Sequence, residues 1–168
     1  MAEAYIGMGA NRGHPVAQIE RALTMLARLP RTRLVASSSL YRSAPMGDLR
    51  QPPFVNAVCR LRTTLPPERL LAGLLEIERR AGRIRRHERR WGPRVLDLDL
   101  LDYDGCVLSR RALRLPHPRM HERRFVLLPL CELSSAIRIP GRGPARTLLS
   151  RLDPGRQPVE RLARAIAR

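Results

Sequence analysis

Asp97 and Asp99 stand two residues apart in the run Arg90-Trp91-Gly92-Pro93-Arg94-Val95-Leu96-Asp97-Leu98-Asp99-Leu100-Leu101. Gly92-Pro93 closes a loop, and the alternation after it predicts a short strand. Residues i and i+2 of a strand share a face about 6–7 Å apart, at ~3.3 Å rise per residue. Both carboxylates therefore project to one side, while Leu96, Leu98 and Leu100 turn toward a core. Paired acids repel unless a cation lies between them, and Mg²⁺, which bridges carboxylates to substrate phosphates, is the natural one. A lone Asp-x-Asp is more often a half-buried strand with two solvated acids. The arginines just upstream (Arg83, Arg85, Arg86, Arg89, Arg90 and Arg94) shift the weight. Acids for a metal beside guanidinium forks for phosphate oxygens describe a nucleoside-triphosphate site.

These residues need a frame. A chain of 168 residues is most simply one domain with a real core. Charged residues make up 28% and apolar residues 43%, which excludes a disordered chain. The net charge is +17, and all 32 basic residues are arginine, a uniformity that points to coding bias. Such charge opens a second class, a binder of nucleic acid or another anionic surface. Cys59, Cys106 and Cys131 stand singly without a Cys-x-x-Cys pair, so reduced thiols in a cytoplasmic protein are expected. The first residues lack the regions of a signal peptide, and no apolar run approaches the ~18 residues of a membrane helix.

The elements read in order. Ala4 to Ala10 is a strand with Gly7 and Gly9 on one face, where glycines often mark close approach by a ligand. Pro15 opens a helix with Val16, Ile19, Leu23 and Leu26 as its stripe, ending near Pro30. Leu34 to Tyr41 is a second strand, and residues 43–53 form a long turn-rich loop of the kind used as a lid. Phe54 to Thr63 alternates, with Val55, Ala57, Cys59 and Leu61 on the core face and Phe54, Asn56 and Val58 opposite. A ring and an amide on one face could stack on and hydrogen-bond a flat heterocycle, or simply end a strand. Leu70 to Ile77 is a helix ended by Gly82. Asp102-Tyr103-Asp104-Gly105 predicts a tight turn and a hairpin to Cys106-Val107-Leu108, so Asp102 and Asp104 are read as turn residues. Leu115-Pro116-His117-Pro118-Arg119 is irregular, and its His117 could donate to a phosphate or merely be solvated. Val126 to Leu133 is helical, Ala136 to Ile139 a last strand, and Val159 to Ala167 a basic helix.

Five stretches now align with a known family: Tyr5 to Asn11, Tyr41 to Pro45, Phe54 to Ala57, Arg90 to Leu101, and Pro116 to Met120. Over roughly residues 3 to 152 the chain resembles the 6-hydroxymethyl-7,8-dihydropterin pyrophosphokinases, with Arg94 to Leu101 as the signature. The arginine loop is about a residue longer than usual in that family, and Ser43 stands where it often has Thr. The resemblance implies a ferredoxin-like α/β sandwich, a mostly antiparallel sheet with helices on one or both faces. It implies one domain over 1–168, with about 153–168 as a C-terminal extension. Asp97 and Asp99 would bind two Mg²⁺ that accompany ATP. Arg83, Arg85, Arg94, His117 and Arg123 would meet the phosphates, with Arg83 and Arg94 catalytic alongside the acids, and Trp91 would sit in a mobile loop over ATP. The pterin would lie between Phe54 and Phe125, with Asn56 and groups near Ser43, Ala44 and Met46 reading its polar edge.

On this reading ATP and a dihydropterin alcohol are the substrates of a monomeric, Mg²⁺-dependent transferase with no specific nucleic-acid or membrane partner. Two other classes remain open. A nucleic-acid binder would be expected to interleave exposed aromatics with its arginines, but aromatics are only 4% here and both phenylalanines have a role. A nucleotide-sugar transferase can also use Asp-x-Asp, but nothing else marks a sugar site.

Overall fold

The computed structural model describes residues 1–165. Its sheet is built around β1 (Ala2–Ala10), whose partners are β4 (Phe54–Thr63) on one side and β5 (Asp97–Tyr103) on the other, both antiparallel. Between β1 and β4 run α1 (Pro15–Ala27), β2 (Thr32–Ser37) and β3 (Ser39–Ser43), and α2 (Pro67–Arg80) joins β4 to β5. The order β3-β4-β1-β5, with β2 beside the far half of β4, is the ferredoxin-like arrangement expected. Prolines at the first positions of α1 and α2 start both helices where a missing N–H costs nothing.

Both sheet faces are covered. Ile6, Met8, Cys59, Leu61, Leu98 and Leu100 pack against Ile19, Leu23 and Leu26 of α1 and Leu70 and Leu74 of α2. The opposite face carries Tyr5, Val58 and Leu101, which meet Leu127 and Leu130 of α3 (Arg124–Leu133) and Ala145 of α4 (Ala145–Ser150). The second layer covers only part of its face, and the remainder is the floor of a cavity.

Four sequence expectations need correction. Leu34 to Tyr41 is not one strand: it breaks at Ser38, whose N–H donates to the Val58 carbonyl while its hydroxyl accepts the Val58 N–H. One side chain thus takes the place of a ladder carbonyl, and the chain bends from β2 into β3. The tight turn at Asp104 (φ 54°) and Gly105 forms, but it does not fold back onto β5. Asp102 lies within β5, and Leu108–Ser109 (β6) pairs instead with Arg114–Leu115 (β7). The free edge of β5 is served from elsewhere, since the Leu98 N–H donates to Glu78 of α2. Ala136 to Ile139 is not a last strand: Arg138–Ile139 (β8) makes a two-residue ribbon with Gly143–Pro144 (β9), ahead of the unforeseen α4. Finally, Val159–Ala165 is not helix but strand β10, paired with β3; residues 166 and 167 of that expectation lie outside the described residues. The unpaired edge of β3 decided the matter, because tertiary pairing overrides weak local preference.

Candidate active site

The cavity lies on the partly covered face and measures about 430 Å³. Its floor is β1 between its two neighbours. Gly7 pairs with Asp99 and Val58, and Gly9 pairs with Asp97 and Asn56. A Cβ on Gly7 would press on Leu101 at 3.3 Å, and one on Gly9 would meet the Asn56 amide oxygen at the same distance. The absent side chains leave both acids and Asn56 with open space above the sheet.

Two chemistries line the two ends. Asp97, Asp99, Arg94, His117, Arg119, Arg123 and Trp91 form one end; Ser43, Ala44, Met46, Phe54, Asn56 and Phe125 form the other. Thus Asp97, Asp99, Arg94, His117, Arg123, Trp91 and all six residues expected around a heterocycle share one cavity. Arg83 and Arg85 do not line it. Arg83 is buried beneath the acids, donating to Glu78 at 2.8 Å, Glu88 at 3.0 Å and Asp97 at 2.5 Å. Arg85 donates to the other oxygen of Glu78 at 2.7 Å. Glu88 in turn holds Arg94 at 2.6 Å.

Burial and the neighbouring Asp97 carboxylate push Asp99 up to about 7. Two acids sharing a face without a cation between them behave this way. His117 moves oppositely, to about 4, because burial and the Arg123 guanidinium disfavour its charged form. It is therefore neutral at pH 7. Its Nδ1 accepts the Arg119 N–H at 3.2 Å, which leaves the proton on Nε2, 3.9 Å from Asp99 Oδ2. The loop that carries His117 is fixed by its N–H on the Leu101 carbonyl of β5.

Three guanidiniums surround the Trp91 ring, with Arg119 at 5.0 Å, Arg90 at 5.5 Å and Arg123 at 5.7 Å from its centre. Arg123 also lies 5.6 Å from the Phe125 ring and so spans both ends of the cavity. The backbone at Trp91 is left-handed (φ 64°), and its Cβ would sit 3.1 Å from any Cβ added to Gly47. The arginine loop and the 43–53 loop are therefore in direct contact.

Sequence reasoning did not assign roles to Asn11, Glu78, Glu88 or Arg119. Buried Asn11 accepts the Arg94 N–H and donates to Gln51 Oε1 and the Pro52 carbonyl, and Gln51 donates to the Trp91 carbonyl. One amide thus links the end of β1 to both loops. No spacing could reveal that, because its partners are far away in sequence. Glu78 did leave a signal: it lies four residues beyond Leu74 on the apolar stripe of α2, where an acid needs a buried cation.

Comparisons with known proteins bear on the family and the fold. The family model for 7,8-dihydro-6-hydroxymethylpterin-pyrophosphokinase matches residues 5–135. A Haemophilus influenzae protein named 2-amino-4-hydroxy-6-hydroxymethyldihydropteridine pyrophosphokinase is 44% identical over 140 residues, 83% of this chain and 86% of its own. A Methylorubrum extorquens protein of the same name is 45% identical over 154 residues, 92% of this chain and 96% of its own. Among solved structures, a Plasmodium falciparum HPPK-DHPS with pterin and p-hydroxybenzoate superposes with a TM-score of 0.70. That match is 13% identical and covers 89% of this chain but 41% of the longer one, so it speaks to the fold alone. By sequence, fold and match length, this chain belongs to the 7,8-dihydro-6-hydroxymethylpterin-pyrophosphokinase family.

Proposed function

We propose that the cavity holds ATP and 6-hydroxymethyl-7,8-dihydropterin side by side and moves the β,γ-pyrophosphate of ATP to the pterin hydroxyl, releasing AMP, in tetrahydrofolate synthesis. The observation that carries this reading is the division of one cavity into a charged end and an aromatic, amide-bearing end. Phe54, Phe125 and Asn56 line the space that a flat heterocycle would take. The Asn56 Nδ2 donates to Ser43 Oγ at 2.7 Å, which fixes the amide's orientation.

At the other end, Arg94, Arg119 and Arg123 supply forked donors for phosphate oxygens. Neutral His117 is arranged to donate its Nε2–H to such an oxygen and not to take the proton of the attacking hydroxyl. Catalysis by this arrangement is positioning and charge neutralisation.

The acids suit magnesium. Asp99 carries charge that burial and Asp97 oppose, a state that a cation relieves. Among the described residues no cluster of three metal-binding side chains exists, so phosphate oxygens and water would complete the coordination. Asp97 and Asp99 would hold two Mg²⁺, which when bound would offset phosphate charge and lower the pKa of the attacking hydroxyl. Arg83 then acts from behind, steering Asp97 instead of touching ATP.

We read the protein as a cytoplasmic monomer with no specific nucleic-acid partner. No helix among the described residues is long and apolar enough to cross a membrane. The test is to incubate the protein with Mg²⁺, ATP and the dihydropterin and identify the nucleotide released. AMP formed only with the pterin present is expected; ADP, or no pterin-dependent turnover, overturns the reading.

A further inference from the structure

The segment from Gln157 to Ala165 lies outside the matched family region, and none of its described side chains, those of residues 157–162, lines the cavity. It nonetheless touches both walls. Helix α3 begins at Arg124 with no side-chain cap of its own, although its first turn faces the cavity through Phe125. The missing acceptor comes from the C-terminal segment. Gln157 Oε1 accepts the Arg124 N–H at 3.0 Å, and the Gln157 carbonyl accepts the Arg124 guanidinium at 2.7 Å. Gln157 Nε2 donates to the Glu122 carbonyl at 2.9 Å. Both functional groups of this amide are thus engaged by the stretch that presents Arg123 and Phe125.

Two residues later the same chain becomes β10. Val159 pairs with Ser43, and Arg161 with Tyr41. Ser43 receives the Asn56 amide and leads directly into Ala44, so this pairing holds the opposite wall. Positions two apart in an extended chain are separated by about 6–7 Å. That short, nearly inextensible link joins the α3 wall to the β3 wall.

We propose that residues 157–165 are a strap that sets the width of the heterocycle slot, and that Gln157 is a positioning residue for the pterin. This rests on the pterin reading of that end of the cavity. A slot between two rings is sensitive to width because stacking decays steeply with separation, whereas the charged end rests on β5, the arginine loop and the His117 loop and takes one residue, Arg123, from the strapped stretch. Loosening the strap should therefore affect one substrate more than the other.

The test compares wild type with Gln157→Ala and, as a milder change that keeps the amide, Arg124→Met. For Gln157→Ala a five- to tenfold rise in KM for the dihydropterin is expected, with KM for ATP within twofold of wild type. Arg124→Met should show a smaller rise of the same kind. Hydrogen exchange without substrates gives an independent readout: amides near 43–44 and 124–127 should both exchange faster in Gln157→Ala, while those of Ile6 and Leu98 stay unchanged. Equal rises in both KM values, or faster exchange at one wall only, would overturn the strap. Wild-type protein without pterin-dependent turnover would sink the functional reading, yet the exchange experiment would still decide whether the two walls are tied.

Discussion

Arg83 offers the sharpest test of where charge does its work. From sequence it belongs at the phosphates; in the structure its side chain is 4% exposed and touches three carboxylates. Replacing it by Ala would strand Glu78 most severely, because that side chain is 2% exposed. Glu78 would keep Arg85 and the Leu98 N–H, Glu88 would keep Arg94, and Asp97, about a third exposed, could rehydrate. Breaking a buried pair by removing one partner costs ~3–5 kcal/mol, and with these fallbacks about 3 kcal/mol is expected for Arg83→Ala. For a domain of this size each kcal/mol lowers Tm by ~2–4 °C, so the midpoint should fall by roughly 6–12 °C. Urea unfolding checks it: the midpoint should drop with the slope unchanged. Turnover should fall as well, since Asp97 loses its anchor. An Arg83→Ala protein that unfolds within about 1 kcal/mol of wild type yet has lost activity would refute the argument and put Arg83 on the substrate.

Three more outcomes follow from the site. Asp99 has a folded-state pKa near 7 against an unfolded value near ~3.9, so it favours the fold below pH ~4 and that help is lost as pH rises through 7. In EDTA, Asp99→Asn should therefore be more stable than wild type above pH 7, by an advantage that shrinks toward pH 4, while turnover is abolished; thermal unfolding across pH measures this. Asn11→Ala removes a buried amide with three partners and should cost about 2–3 kcal/mol, with KM rising for both substrates because both loops lose their anchor. Trp91 is the only tryptophan, and Mg²⁺ with a non-hydrolysable ATP analogue should change its fluorescence by drawing Arg119 and Arg123 from its ring, whereas RNA at physiological salt should do far less.

The legible parts of the molecule were those set by local periodicity. β1, α1, β4 and α2 are readable because their apolar spacing, their prolines and Gly82 act within a few residues. The acid pair is readable because a two-residue period puts both carboxylates on one face whatever lies around them. What failed was decided at a distance. Ser38 breaks a strand only because Val58 presents a backbone N–H to its hydroxyl. The segment at 159–165 looks like a basic helix until the bare edge of β3 recruits it. Arg83 and Arg94 have the same composition and neighbourhood in the sequence. Glu78, reaching up from the apolar face of α2, is what fixes Arg83 underneath while Arg94 reaches the cavity.

The pairing of β10 with β3 also bears on how the molecule is made. Arg161 reaches Ser39 across 122 residues of chain. Translation proceeds from the N-terminus at ~5–20 residues per second, so β3 must wait several seconds on the ribosome before its partner strand emerges. During that interval β1, β4 and β5 can assemble with α1 and α2, and the charged end can close. The wall at Ser43 keeps an open strand edge, a point of vulnerability to wrong partners. A nascent chain stalled before residue 157 should therefore expose that edge to chaperones, and the slot for the heterocycle should be the last part of the protein to mature.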